Sequence, residues 1–423
     1  MNRFCRYSQR ALAALAALFL SAAPARTETG AENTAEGPRY RVIVQAGEER
    51  AAEMLRVLEA AYPLFQKHFG AKPKLKKGEK LEVRHYKSKA DWVVGVRSSG
   101  APPPGSAGGI YLPATKVAYF HDQPTRYYTR VLMLHEAAHQ FHYLARTKNK
   151  EPTAKWYTEG LAEYLSWHHW DGSTLELGVR PLLSLENRAG AAITTVGTVD
   201  FEAFVAGDTK LDRGVAWALV RYLATGNKGK PHKKFKAFAR KMDGGNKPGS
   251  LFRKLFGTPK QVKPDFEKWL AAEQSPWVYG FNEWEPLTAT SLRGFAKKQY
   301  TVAYLREPAK NLTATLIAPK KQSWNAGVLV HWSSPDDYTV ALLNYGGFMH
   351  VVRRMEGRWQ TMEKGPIPGL ENQPKYTFQV FRRGGEVSLL VNNQGLGPWE
   401  LPGSTLGLAL MSSDVRFVDL NWK

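Results

Sequence analysis

The sequence holds one cysteine, Cys5, among 423 residues. That lack excludes a disulfide scaffold, a thiolate zinc site, an iron–sulfur cluster and, past residue 5, any thiol nucleophile. Acid is also scarce: 38 Asp and Glu stand against 59 Lys and Arg, which leaves a formal charge of +21. Beyond the N-terminal stretch, no apolar run approaches the roughly 20 residues a membrane helix needs. Hydrophobic residues at 43% and aromatics at 12% nonetheless exclude a disordered basic tail. The length leaves room for about two to four domains, each with its own core.

Residues 1–25 read as an export signal. Arg3, Arg6 and Arg10 make a positive start, Ala11–Ala23 a short apolar stretch, and Ala23-Pro24-Ala25 a small-x-small cleavage pattern. Removing them takes away Cys5 and three arginines but no acid, so the charge falls from +21 to +18. The expected location is a bacterial periplasm or exterior, with no transmembrane span once the signal is cleaved.

Residues 26–38 are small and polar and read as a linker. Arg41–Gln45 alternates as a strand does, and Ala51–Phe69 sets Met54, Leu55, Leu58, Ala61, Tyr62 and Phe65 at helical spacing. Leu81–Tyr86, Asp91–Val96, Ile110–Leu112 and Val117–Phe120 read as strands, and the proline- and glycine-rich Ala101–Gly109 as a loop. A helix is predicted from just after Pro124, with Thr125 near its cap, to Arg146, and another from about Pro152 to Trp167. Phe201–Phe204, Val215–Leu223, His232–Met242, Leu251–Phe256 and Phe266–Ala272 follow as helices. From about Ser291, period-two alternation and glycine turns take over, with hairpins after Tyr338–Leu343 and Tyr376–Phe381. The expected fold class is α+β: a mixed sheet with a helical subdomain over 39–275, a linker over 276–290, and an all-β sandwich over 291–423.

His135-Glu136-Ala137-Ala138-His139 is an H-E-x-x-H run inside the first of these helices. Residues four apart share a helix face, so both imidazoles reach one metal ion, and Glu136 stands beside them as base for a metal-activated water. A catalytic zinc takes a third protein ligand and keeps one position open. Glu159 supplies a carboxylate at the right distance, twenty residues past His139 in Trp156-Tyr157-Thr158-Glu159-Gly160-Leu161-Ala162-Glu163. Glu163, one turn on, is the candidate acceptor for an imidazole N–H.

This pairing of H-E-x-x-H with W-x-x-E-G-x-A-E resembles the gluzincin metallopeptidases, the group of thermolysin and the membrane-alanyl-type aminopeptidases. It is closer still to the bacterial peptidase MA-like domains. The resemblance covers about Tyr40–Glu273 and implies that His135, His139 and Glu159 bind one zinc, with Glu136 as general base. Aminopeptidases of the group place an oxyanion-stabilising tyrosine at the start of a later helix. The nearest match, Leu211-Asp212-Arg213-Gly214, has Leu211 there, so Arg213 and Tyr157 are the candidate oxyanion donors. No G-A-M-E-N-type motif precedes the zinc helix, so the expectation is hydrolysis without aminopeptidase specificity. His142 and His121 are read as packing residues, and His168-His169 as a solvated helix end with aromatic packing.

Between Gly226 and Pro264, twelve Lys and Arg meet one acid. Phe235, Phe238, Ala239 and Met242 share a helical face, which leaves Lys233, Lys234, Lys236, Arg240 and Lys241 as its solvated remainder. A partner for this tract would be an anionic envelope polymer or acidic headgroups, not nucleic acid.

Residues 291–423 resemble the concanavalin-A-like jelly-roll domains of secreted bacterial enzymes, through Trp332–Tyr338, the two glycine hairpins and a closing Val415–Trp422 strand. That likeness implies glycan contacts, with Trp332, Tyr345, Trp359 and Trp399 as candidates. The expected function is an exported zinc-dependent peptidase acting on a peptide or protein. The rival is an inactive secreted binding protein that recognises glycan or envelope components through the sandwich.

Overall fold

A computed structural model describes residues 32–423 apart from 103–104, 106–107, 153, 180–194, 226–232, 274–275, 280–282, 297–299, 321–322 and 404. The expected export signal lies outside the described residues. The chain is α+β, with an N-terminal α/β part and a C-terminal sandwich of two sheets. Among the described residues no helix is long and apolar enough to cross a membrane.

The first sheet contains β1 (Asn33–Glu36), β2 (Tyr40–Val44), β3 (Leu81–Tyr86), β4 (Gly109–Leu112) and β5 (Val117–His121). Their order is β1-β2-β3-β5-β4, with β2, β3 and β5 parallel and both edge strands antiparallel. Helices α1 (Glu48–Phe69) and α2 (Lys89–Ser98) lie in the crossovers. Alternate residues of β5 serve two cores. Ala118 and Phe120 join α1 and α3 (Arg126–Arg146), while Val117 and Tyr119 join Trp92 and Val96 of α2.

Two expectations are corrected here. Residues 91–96 are helical, because Ser88 caps α2 by accepting the Asp91 N–H at 3.1 Å. Trp92 and Val96, four apart, form its buried stripe, and over so short a window that spacing also reads as alternation. The supposed linker over 26–38 contains β1, whose residues pair with β2 from Asn33 to Glu36.

Helix α3 starts as expected, with the Tyr128 N–H donating to Thr125 Oγ1 at 3.1 Å. Helix α4 (Lys155–Ser166) begins after Pro152, and its neighbour in sequence is a ribbon of β6 (His168–Trp170) and β7 (Leu175–Leu177). The helical layer continues with α5 (Phe201–Ala206), α6 (Arg213–Thr225), α7 (Lys233–Asp243), α8 (Pro248–Phe256) and α9 (Pro259–Ala272). Helices α4 and α6 touch at backbone distance: a Cβ on Gly160 would overlap the Ala216 carbonyl. That glycine therefore fixes how near the two helices lie.

The linker expected over 276–290 is sandwich instead. It supplies β8 (Trp277–Tyr279) and β9 (Trp284–Thr288), edge strands of opposite sheets anchored by the fully buried Trp277 and Trp284. One sheet runs β19 (Gln394–Glu400), β18 (Glu386–Val391), β17 (Lys375–Arg383), β12 (Asn311–Ile317), β21 (Asp414–Trp422), β10 (Ser291–Phe295), β9. The other runs β16 (Arg358–Pro366), β15 (Phe348–Met355), β14 (Asp337–Asn344), β13 (Asn325–Ser334), β20 (Gly407–Met411), β11 (Tyr300–Leu305), β8. Both expected hairpins are present. They turn through Gly347 and Gly384, whose positive φ of 75° and 62° suits glycine.

A chain of ion pairs fastens the sandwich to α3. Arg130, buried in α3, reaches Glu53 at 3.0 Å and Glu285 of β9 at 3.4 Å. Glu285 in turn meets Arg293 at 3.1 Å, and Arg293 meets Asp414 at 2.6 Å. Replacing Glu285 by Ala leaves the buried Arg130 and the half-buried Arg293 one partner short each. The expected loss is about 3 kcal/mol of unfolding free energy in urea melts, against less than about 0.5 kcal/mol for exposed Glu400→Ala.

Candidate metal centre

Helix α3 is buried on nearly every side, so each polar side chain on it needs an answer from the protein. Gln140 donates to the Glu82 carbonyl at 2.9 Å and the Lys116 carbonyl at 2.8 Å. His142 meets Asp243 at 2.7 Å. His135 and His139 face each other instead, Nε2 to Nε2 at 3.2 Å. Glu159 of α4 closes the triangle, with Oε2 at 3.4 Å from His135 Nε2 and Oε1 at 3.6 Å from His139 Nε2.

Tetrahedral ligation at about 2.0–2.1 Å sets neighbouring ligand atoms about 3.3–3.4 Å apart. The observed separations straddle that edge, and one atom from each residue falls within 4.8 Å of the others. Burial drives His139 down to about 3, so its ring is neutral, the form that ligates metal. Burial lowers His135 too, but the neighbouring Glu159, Glu136 and Glu163 outweigh it and raise that group. For Glu159, burial opposes ionisation, yet His135, His139 and Arg213 hold its carboxyl well below the usual range. Its Oε2 is buried and accepts no directed hydrogen bond, although Arg213 Nη2 lies 3.0 Å away. Two imidazoles and an ionised carboxylate with a free lone pair suit a divalent ion.

Glu136 lies beside this triangle, and burial pushes its carboxyl up to about 7. It accepts the backbone N–H of Tyr111, which belongs to the edge strand β4. In the same strand, a Cβ on Gly109 would stand 2.8 Å from Glu136 Cγ, so glycine makes the room. Glu163 is buried 3.8 Å from Arg213, and its charge helps raise His135. Arg213 opens α6, is 43% exposed, and is the cation beside Glu159. Leu211 packs half-buried against the core.

Tyr157 is not in the cleft, which corrects its candidacy as an oxyanion donor. Two residues before Glu159 it points about 200° around the helix. Its hydroxyl donates to Asp243 at 3.2 Å on the far side. Asp243, the one acid of the basic tract, also pairs with His142 and, at 3.1 Å, with Arg146. It thereby ties α3, α4 and α7 together behind the triangle, a role the sequence reading missed. Tyr143, one turn past His139 with ring centroids 5.7 Å apart, was legible from spacing alone. The backbone contact from Tyr111 had no signal in the sequence.

The other described histidines stay out of the triangle. His142 stacks on Phe69, and His121 tilts against Trp92. His168 is fully buried against Tyr127 in a β-ribbon, which replaces the expected solvated helix end.

In the sandwich, Trp399 is buried and donates to Glu363 at 2.9 Å, so it is no surface contact. Trp332 lies between Tyr304 and Tyr338, at 4.6 and 5.4 Å between centroids. Trp359 is 45% exposed but has Tyr300 against it at 4.5 Å. Tyr345 is 53% exposed and rims a cavity of about 680 Å³, with Trp324, Tyr376, Asn372 and Gln373 in its wall.

No family model matches the chain, and no curated protein sequence matches it. Among solved structures, the carbohydrate-binding module CBM66 from Bacillus subtilis is similar at 12% identity and a TM-score of 0.30, over 35% of this chain and 95% of that one. The GH43 protein BlXynB from Bacillus licheniformis is 14% identical at a TM-score of 0.28, over 34% of this chain and 36% of that one. Sheep galectin-11 is 12% identical at a TM-score of 0.24, over 31% of this chain and 100% of its own. The C-terminal sandwich resembles these folds in outline. Likeness at this level carries nothing about ligand or activity.

Burial alone would raise the Asp243 carboxyl, but His142 and Arg146 hold it below the usual range. A carboxyl lowered on folding stabilises above its unfolded value, near about 4, and loses that contribution as pH falls through the folded value. Denaturant melts of wild type and Asp243→Asn are expected to differ by about 2 kcal/mol near neutral pH. The gap is expected to close as the pH drops below about 4.

Proposed function

We propose that the chain is a zinc-dependent peptidase of gluzincin type, with His135, His139 and Glu159 as ligands and Glu136 as general base. The observation that carries this reading is the triangle of donor atoms at tetrahedral spacing, with a buried Glu159 oxygen at one corner that accepts no directed hydrogen bond. A zinc ion held there would polarise both a water and a scissile carbonyl. Glu136, with its carboxyl near 7, takes a proton from the attacking water and returns it to the leaving amine nitrogen. The Tyr111 N–H orients that carboxylate. Arg213, exposed beside Glu159, is the remaining candidate for charge developing on the carbonyl oxygen. A peptide is favoured as substrate because β4 is an edge strand directly against Glu136, and an extended chain pairs with such an edge through its own backbone.

Metal analysis by mass spectrometry is expected to give about one zinc per chain in wild type and in Glu136→Gln, and none in His139→Ala. On a broad peptide library, Glu136→Gln is expected to cleave roughly 10²–10⁴-fold more slowly than wild type. Zinc bound without cleavage of any peptide by wild type counts against the peptidase; absence of zinc counts against the ligand set.

A second reading, glycan binding by the sandwich, is favoured by the cavity at Tyr345. An exposed aromatic face above amide side chains is what a sugar ring uses. A glycan array with the full chain is expected to give hits that Tyr345→Ala loses and Trp399→Phe keeps. Hits that survive Tyr345→Ala exclude this cavity.

A further inference from the structure

Three basic segments far apart in sequence meet at one pole of the molecule, the end of α3. The segment Lys72–Lys77 follows α1, and the Lys74 N–H donates to the Leu144 carbonyl at 3.1 Å. Lys148 and Lys150 sit in the turn that leaves α3. Helix α7 carries Lys233, Lys234, Lys236 and Lys241 outward, and Asp243 holds its end to His142 and Arg146 of α3. Contact between the ends of α1 and α3 is direct: the rings of Phe69 and His142 stack at 5.0 Å. Asp243 is the sole carboxylate in these three segments, and its charge is engaged by those pairs.

The side chains at this pole narrow the partner. The apolar residues of α7, Phe235, Phe238 and Met242, are turned inward, so nothing is offered for insertion. The exposed large apolar side chains among the described residues, Trp359 and Tyr345 among them, lie elsewhere, which removes a platform for stacking bases. Lysine, a hydrated point charge, outnumbers arginine here and suits a layer of anionic headgroups better than paired recognition. We infer that this pole is an electrostatic docking surface for an anionic lipid bilayer. It holds the molecule by field alone, without penetration, next to the turn where Asn149 accepts the Tyr111 hydroxyl at 2.6 Å.

The test is co-sedimentation of the full chain with phosphatidylcholine vesicles, with and without about 30% phosphatidylglycerol, across ionic strengths from about 0.05 to 0.5 M. Binding is expected only to the anionic vesicles and is lost at the upper salt limit. The triple variant Lys233→Ser/Lys234→Ser/Lys236→Ser, its fold checked by circular dichroism, is expected to partition roughly a hundredfold more weakly, at about fivefold per lysine. The same triple change at Lys320, Lys364 and Lys375 on the sandwich is expected to leave partitioning unchanged. Salt-resistant binding, or binding to neutral vesicles, would assign the attachment to the apolar stretch at residues 11–23 and overturn the proposal. Equal loss in the sandwich variant overturns it as well, and so does binding to soluble polyphosphate with none to vesicles.

Discussion

The structure depends on a solvation constraint in α3. This helix crosses the core with buried faces all round, yet it carries Thr129, Arg130, His135, Glu136, His139, Gln140 and His142. A polar group kept from water without a partner costs more than most single contacts return. The surrounding elements are therefore placed to answer α3 residue by residue: Glu53 and Glu285 for Arg130, two strand carbonyls for Gln140, Asp243 for His142. The two imidazoles and Glu136 are the members of this set left chiefly to one another and to Glu159 of α4.

Two glycines set the tolerance of that cluster. Gly160 lets α4 lie against α6 at backbone contact, which aligns Glu159 with the histidines and brings Arg213 over it. Gly109 lets β4 close onto Glu136. Both segments that carry the triangle are helices held by core packing, so it needs no loop to assemble it. The ion-pair chain from Glu53 to Asp414 extends the same rigidity into the sandwich, which shares with α3 a charge network buried at Arg130 and Glu285, in place of a polar linker.

Much of this was legible in the sequence because it is periodic. The i, i+4 histidines, the capping Thr125 and the inward stripe of α7 follow from helical spacing, and the glycine hairpins of the sandwich from turn chemistry. What escaped is what spacing does not encode. Asp91–Val96 is too short to separate a two-residue from a four-residue repeat, and the cap at Ser88 decided it. Residues 276–290 lack alternation, yet two buried tryptophans make them strands. Tyr157 lies near Glu159 in sequence but on the opposite side of α4. The contact of Tyr111 with Glu136 is a backbone donor, which any residue but proline could supply, so no side chain announces it.

The strand order of the sandwich bears on timing. Strand β21, the last of the sandwich strands to leave the ribosome, sits inside its sheet between β12 and β10. Until it arrives, β10 and β9 have no hydrogen-bonded path to β12, and that sheet exists in two halves. Pairing across so long a separation in sequence is slow, and the core between the sheets cannot close before residues 414–422 are in place. Withholding or pulling out that one strand therefore splits its sheet at the centre, where loss of an edge strand would only trim it.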